Sequence, residues 1–87
     1  MIIFTVHTAD HDDVAVEVEG AFRTRENAEL AVVERINQNL DILELSPILS
    51  LASKRVLATD SIAGEVHYEV EGVELYEWVI TAVELQD

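Results

Sequence analysis

The chain contains no cysteine and only five basic residues, and each shortage excludes a class of protein. Without cysteine, neither a disulfide framework nor a thiolate metal site can supplement the core, and a thiol nucleophile is excluded. Acidic or basic residues interrupt every apolar stretch, and no basic segment precedes the first one, which predicts a cytoplasmic protein without a membrane span. No segment matches a catalytic, metal or nucleotide motif, so we expect no cofactor and assign no catalytic or metal-ligating residue.

Acidic residues dominate what is present. Eighteen Asp and Glu stand against five Lys and Arg, giving a net charge of -13 in 87 residues that are 49% hydrophobic. Such repulsion destabilises a compact state, and salt relieves it because the Debye length falls to about 3 Å at 1 M. The charge therefore indicates either a halophilic protein, whose lysine-poor composition this chain resembles, or a surface that binds a basic partner. We do not expect direct nucleic-acid binding, which needs a basic stripe.

Alternating apolar residues predict four strands, over residues 2–7, 14–22, 65–70 and 73–85. Glu71-Gly72 is placed to form a tight turn between the last two strands. A regular register from that turn would put Glu77 among apolar residues. We therefore predict a bulge near Tyr76 or Glu77 that turns Glu77 outward and brings Trp78, Ile80 and Ala82 inward, which leaves Tyr76 outside. A second bulge is predicted at Gly20.

Two segments carry helix signals. Thr24 can cap a helix over residues 25–39, whose apolar stripe includes Ala28, Val32 and Arg35 at spacings of three and four residues. Ser46-Pro47 begins a second predicted helix over residues 47–57. One domain over residues 1–87 results, with the order ββααββ: an α+β fold of about four antiparallel strands with two helices on one face.

In the segment Gly20–Ala28, an aromatic residue ends a strand and Thr24 caps a helix that begins with Glu26-Asn27-Ala28. This segment resembles small phage, prophage and archaeal-virus proteins of unknown function. The resemblance covers about residues 1–40, with a weaker echo over residues 78–85. It implies a viral or mobile-element accessory protein that binds and blocks a larger machine. It assigns no functional residue.

Glutamates in the predicted hairpins form the main candidate site. Glu65, Glu69 and Glu71 are predicted on one face of their strand, with Glu74 opposite Glu69. Side chains two residues apart lie about 6.5 to 7 Å from one another, which is near the phosphate spacing of a nucleic acid. Like charges across a sheet cost stability, so a basic partner or a salt-rich solvent would have to offset them. The predicted partner-binding residues are Glu17, Glu19, Glu65, Glu69, Glu71, Glu74 and Tyr76.

Two histidine-containing clusters offer other chemistry. His7 and His67 could form a metal site or an acid/base pair if their strands are neighbours in the sheet. The run from His7 to Asp13 could hold a divalent ion, but its spacing does not fit a calcium loop, and an exposed, Asp-rich hairpin tip is the simpler explanation. The leading expectation is a small non-enzymatic protein that occludes a basic protein surface, with nucleic-acid mimicry as one form of it, or that pairs with a second copy of itself as a homodimer. A halophilic structural or homodimeric domain is the alternative, and an enzyme using both histidines is the third.

Overall fold

The computed structural model describes residues 1–10, 15–61 and 64–86, with side chains in the second range from residue 18 onward. Five antiparallel strands form one sheet in the order β2-β1-β5-β4-β3, and one helix packs on it. The elements are β1 (Ile2–Ala9), β2 (Ala15–Phe22), α1 (Arg25–Ile42), β3 (Val56–Asp60), β4 (Glu65–Val70) and β5 (Val73–Glu84).

The predicted fold of four strands and two helices in the order ββααββ is wrong. In the described part of the chain there is one helix, and the order is ββαβββ. The segment predicted as the second helix is instead an irregular connection followed by β3. Serine side chains compete with helical bonding there, since Ser50 Oγ accepts from the Ala52 amide at 3.2 Å and Ser53 Oγ from the Arg55 amide at 3.3 Å.

The side chain of Asn37 holds this connection against α1. Its Nδ2 donates to the Ile48 carbonyl at 2.9 Å, and its Oδ1 accepts from the Ile48 amide at 2.8 Å. Both backbone groups of Ile48 are therefore bonded to a helix side chain, and neither is available to a helical turn. The capping signal at Ser46-Pro47 could not reveal this distant partner.

Helix α1 begins where the sequence predicts and ends three residues later. Thr24 Oγ1 accepts from the Asn27 amide at 3.1 Å, which satisfies one of the free donors of the first turn. At the other end the Leu45 amide donates to the Leu40 carbonyl at 2.8 Å, with Glu44 at a φ of 58°. This is a Schellman ending with glutamate in the position that usually holds glycine. The residues that α1 buries against the sheet are Ala28, Val32, Ile36 and Leu40.

The predicted bulge in the last hairpin is confirmed. Val70 pairs with Val73 across the Glu71-Gly72 turn, whereas Tyr68 pairs with Trp78. Between these two pairs the chain moves five positions along β5 but only two along β4, so the extra residues of β5 form the bulge. Trp78 is fully buried, as expected, and its indole Nε1 has no hydrogen-bond partner in the described residues. Tyr76 is not left outside: it is half-buried and packs against the core.

The other two residues predicted to turn inward differ from one another. Ile80 is buried in the core, whereas Ala82, further along the same strand, is exposed. Ala82 pairs with Phe4, which is itself only partly buried, so Ala82 lies at the margin of the core.

The bulge predicted at Gly20 is also present. Val6 pairs with Gly20 and His7 pairs with Val18, so Glu19 is the extra residue of β2. Gly20 has a φ of 141°, in the region that favours glycine. Because an extra residue reverses the alternation of side chains, Val18 becomes exposed and Glu19 turns to the side of the sheet that carries α1.

Candidate functional site

The face of the sheet opposite α1, here called the helix-free face, carries an acidic groove at the β3 end of the sheet. Val66, Tyr68 and Val70 belong to the core under α1, so alternation along β4 places its other side chains on the helix-free face. The groove encloses about 540 Å³ between β3, β4 and the turn into β5. Its charged and aromatic lining consists of Glu69, Glu71, Glu74, Glu77, Tyr76, Lys54 and Arg55.

Three of these glutamates are exposed and unpaired within the described part of the chain. Glu69 lies on β4 opposite Leu57 of β3. Glu71 lies in the turn, and Glu74 lies at the start of the bulge. The groove therefore brings together one carboxylate from a strand, one from a turn and one from a bulge. The predicted pairing of Glu69 with Glu74 is absent from the register, because the bulge interrupts it. The groove therefore collects these charges without stacking them in a regular ladder.

The two basic residues of the groove do not neutralise it. Arg55 Nη1 donates to the carbonyl of Ser46 at 2.5 Å and to that of Pro47 at 3.5 Å, so the guanidinium is held by the irregular connection. Lys54 is exposed and forms no ion pair with the described residues. With four carboxylates against these two cations, the groove has a net negative charge.

Beside the groove, His67 lies between two carboxylates. Its Nδ1 is 2.8 Å from Glu77 Oε1 and its Nε2 is 3.0 Å from Glu65 Oε2. Both ring nitrogens can donate only in the imidazolium form. Partial burial lowers the pKa of His67, but the hydrogen bonds and negative charges of Glu77 and Glu65 outweigh it, so its pKa is raised above 6.5. In its imidazolium form, His67 donates to both glutamates and holds them together.

The strands of His7 and His67 are not neighbours as the predicted pair requires, because β5 separates them, although both histidines line a second pocket on the helix-free face. His7 pairs with Val79 on one side and His67 pairs with Val79 on the other. Two inter-strand spacings put the histidines about 10 Å apart. The described residues contain no group of three or more His, Asp or Glu arranged to hold a metal ion, and His11, Asp12 and Asp13 of the second predicted cluster lie outside the described residues.

The predicted partner-binding residues do not form one surface. Glu69, Glu71 and Glu74 line the groove, with Tyr76 half-buried beside them. Glu65 does not join them freely, because it is bound to His67. Glu17 and Glu19 lie in β2, at the other end of the sheet, and the side chain of Glu17 is outside the described range.

Glu19 is a correction to the predicted contact surface. Its side chain is only 8% exposed, forms an ion pair with Arg35 of α1 and accepts from Thr8 Oγ1 at 3.2 Å. The bulge beside Gly20 turns it toward the helix. The position of Arg35 in the apolar stripe of α1 could have predicted this pair, because a charged residue on a buried face needs a partner of opposite charge.

Sequence reasoning also missed Glu77, Lys54 and Arg55 as parts of the site. Glu65 and His67 are two residues apart on one strand, a spacing that places both on the same face and could have predicted their contact. Glu77 reaches His67 only because of the bulge, and its contact could not be predicted without the register of β4 and β5.

Comparisons with known proteins identify no relative: no protein-family model, no curated protein and no solved structure matches this chain. The resemblance of the Gly20–Ala28 segment to viral proteins therefore stays a prediction. Within the described residues, no helix has the length and apolar character to cross a membrane.

Proposed function

We propose that this chain is a binding protein whose acidic groove takes up a basic segment on the surface of another protein. The observation that carries the proposal is the grouping of Glu69, Glu71 and Glu74, exposed and unpaired, around one concave site. Elsewhere on the sheet, Glu19 has Arg35 and Glu65 has His67. The groove thus groups three carboxylates that form no ion pair with the described residues and are available to an external cation.

The shape of the groove favours side chains of lysine or arginine as its ligands. Tyr76 and Val73 give it an apolar wall, on which the aliphatic part of such a side chain can pack while its charged end meets the glutamates. Charge complementarity of this kind raises the association rate and makes binding sensitive to salt. The mechanism is occlusion of the partner's basic surface.

The groove favours a protein partner over imitation of nucleic acid. A phosphate-like ladder needs a carboxylate at every second residue of a strand, and His67 interrupts the row between Glu65 and Glu69. Those two glutamates are about 13 Å apart along β4. The remaining groove carboxylates come from the turn and the bulge, so they do not continue a regular row.

Binding of a labelled oligolysine peptide tests this function. The variant Glu69→Gln/Glu71→Gln/Glu74→Gln removes the unpaired groove charges, and the control Glu34→Gln/Asp41→Asn/Glu84→Gln removes three exposed charges elsewhere. The two variants have the same net charge. In dilute buffer, fluorescence anisotropy should show about tenfold weaker binding for the groove variant and about twofold for the control. Equal losses would mean that only net charge matters and would reject the groove as the site.

The alternative function is a halophilic structural domain, and the spread of unpaired acidic residues favours it. Glu26, Glu34 and Asp41 are exposed along α1, and Glu84 is exposed at the end of β5, away from the groove. If solvent adaptation explains the charge, potassium chloride should raise the melting temperature strongly up to about 3 M, beyond the range where Debye screening is nearly complete. Thermal unfolding followed by circular dichroism measures this. A melting temperature that does not respond to salt would reject the alternative.

A further inference from the structure

Strand β3 forms one edge of the sheet, and its outer side is open in the described part of the chain. Leu57, Ala58, Thr59 and Asp60 are all exposed. An edge strand presents unpaired amide and carbonyl groups that can recruit another strand unless a bulge, proline or row of charges prevents it. β3 contains no proline or glycine and pairs with β4 in an uninterrupted register. It is therefore a regular template for strand addition.

Two hydrogen bonds at its ends define which backbone groups of β3 are open. The Arg55 carbonyl accepts from the Glu71 amide at 2.9 Å, and the Ser61 amide donates to the Glu65 carbonyl at 2.9 Å. Backbone groups alternate in direction along an antiparallel strand, so the odd-numbered residues of β3 face β4. The residues whose amide and carbonyl groups point to the open edge are Val56, Ala58 and Asp60.

We propose that a second copy of this chain pairs with β3 in an antiparallel register centred on Ala58, which joins two five-stranded sheets into one. In this register Ala58 exchanges amide-to-carbonyl bonds with Ala58 of the second copy. The Val56 carbonyl accepts from the Asp60 amide of the second copy, and the reverse bond forms by symmetry. The pairing ends at Val56, whose own amide already donates to the Ser53 carbonyl at 3.0 Å.

Charge complementarity supports a second copy as the occupant of this edge. The register places Asp60 of the second copy opposite Val56, which is two residues from Lys54 in the adjoining turn, a separation that a long lysine side chain can span. Neither Lys54 nor Asp60 forms an ion pair with the described residues of its own chain. Two Lys54–Asp60 pairs would therefore form across the two-fold axis. The segment 54–60 holds two basic residues and one acidic residue, in a chain whose net charge is -13.

The opposite edge of the sheet lacks these properties. β2 contains Glu17 and Glu19, and two register shifts interrupt its pairing with β1. Bulges and charges are the features that protect an edge from further pairing. A second copy on β2 would bring further carboxylates to a strand that has two. Self-association should therefore use β3 and leave β2 unpaired.

Salt separates this inference from the proposed binding function. Two chains of charge -13 repel one another at long range, and screening weakens that repulsion, whereas backbone hydrogen bonds are neutral. The dimer should therefore tighten as potassium chloride rises from about 0.1 to 1 M, over which the Debye length falls from about 10 to 3 Å. Oligolysine binding to the groove should weaken over the same range. Failure of either claim leaves the other standing.

Sedimentation velocity of the wild type and of Ala58→Pro tests the dimer. Because the Ala58 amide points away from β4, proline should leave the β3–β4 pairing intact while it removes the central donor of the new pairing. At high salt and submillimolar concentration the wild type should sediment as a dimer, and Ala58→Pro as a monomer with an unchanged circular dichroism spectrum. A monomeric wild type, or a dimeric proline variant, would overturn the proposal.

A pair of lysine substitutions gives a second test if proline disturbs folding. Leu57 is 61% exposed on β3 and Val18 is 73% exposed on β2, so Leu57→Lys and Val18→Lys make the same change on opposite edges. Leu57 lies opposite Thr59 of the second copy in the proposed register and diagonal to Leu57 of that copy, so the two added lysines would be diagonal neighbours across the two-fold axis. Leu57→Lys should raise the dimer dissociation constant about tenfold, and Val18→Lys less than about twofold. The reverse order would assign the interface to β2 and refute the proposal.

Single cysteines test the register itself, since the natural chain has none. Hydrogen-bonded antiparallel partners have α-carbons about 5.5 Å apart, within the range that a disulfide spans. Under mild oxidation at high salt, Ala58→Cys should form a cross-linked dimer much faster than Val18→Cys. Equal rates for the two variants would contradict a register centred on Ala58.

Discussion

The two faces of the sheet neutralise glutamates in different ways. On the side covered by α1, Glu19 is paired with Arg35, a guanidinium that stays charged at every pH at which the protein folds. On the helix-free face, Glu65 and Glu77 share His67, a cation only below its raised pKa. Partly buried carboxylates are thus paired with a permanently charged side chain on one face and with a titratable side chain on the other.

The difference shows how a chain with few cations distributes them. Burying a charge is costly unless a partner compensates it, and five basic side chains cannot serve eighteen acidic ones. Glu19, the most buried, is paired with an arginine, and the less buried Glu65 and Glu77 are paired with a histidine. The exposed glutamates of the groove have no ion-pair partner within the described residues. Pairing therefore follows burial, and the unpaired carboxylates are those that solvent or a partner can reach.

The largest expected effect comes from breaking the helix-side pair. Arg35→Met leaves Glu19 buried with Thr8 as its polar contact, and we expect a loss of about 2 to 3 kcal/mol in the free energy of unfolding between about pH 7 and 9. Urea denaturation followed by circular dichroism measures it. The double variant Arg35→Met/Glu19→Gln should recover at least about 1 kcal/mol, because it removes the unpaired charge. A double variant no more stable than the single one would show that Arg35 acts through packing alone.

A smaller and pH-dependent effect is expected for His67→Gln. Because the folded-state pKa of His67 is raised above 6.5, its contribution is complete below that value and disappears as pH rises through the folded-state pKa. His67→Gln should therefore lose about 0.5 to 1 kcal/mol at about pH 5.5 and almost nothing at about pH 9.

The control for that experiment is His7→Gln on the same face. His7 has no carboxylate contact among the described residues, so its substitution should not produce the same difference between the two pH values. A loss for His67→Gln that is as large at high pH as at low pH would show that the imidazolium form does not matter.

The smallest effect distinguishes the two partners of His67. Glu77 is nearer than Glu65, with contacts of 2.8 and 3.0 Å, and it is less exposed, at 16% against 34%. Both Glu77→Gln and Glu65→Gln should lower the pKa of His67, and Glu77→Gln should lower it more. Proton chemical shifts of the imidazole ring, followed against pH, give both values. A larger shift for Glu65→Gln would reverse the assigned order.

Local sequence signals predicted the elements that depend on near neighbours. Thr24 as a cap, the Glu71-Gly72 turn and the bulges beside Gly20 and in β5 are all present. Each depends on residues close together in the chain, where turn and capping chemistry act directly.

Predictions that needed distant contacts failed. The predicted second helix is absent, because Asn37 binds the backbone of Ile48, eleven positions away in the sequence. The ladder of glutamates assumed that Glu19 and Glu69 point to the same face, and a one-residue bulge reversed Glu19. The groove depends on the pairing of β3 with β4, and the helix predicted over residues 47–57 overlapped the start of β3. Three of its carboxylates were nevertheless predicted as contact residues, because their exposure follows from strand alternation and turn position.

The central claim is that the groove, and not the acidic surface as a whole, receives a basic ligand. Addition of unlabelled oligolysine peptide to the ¹⁵N-labelled protein, followed by backbone amide chemical shifts, tests it most directly. We expect the largest shifts at Glu69, Glu71 and Glu74, with small shifts around Glu34 and Asp41 of α1. Shifts of similar size over all exposed acidic residues, or centred on α1, would contradict it.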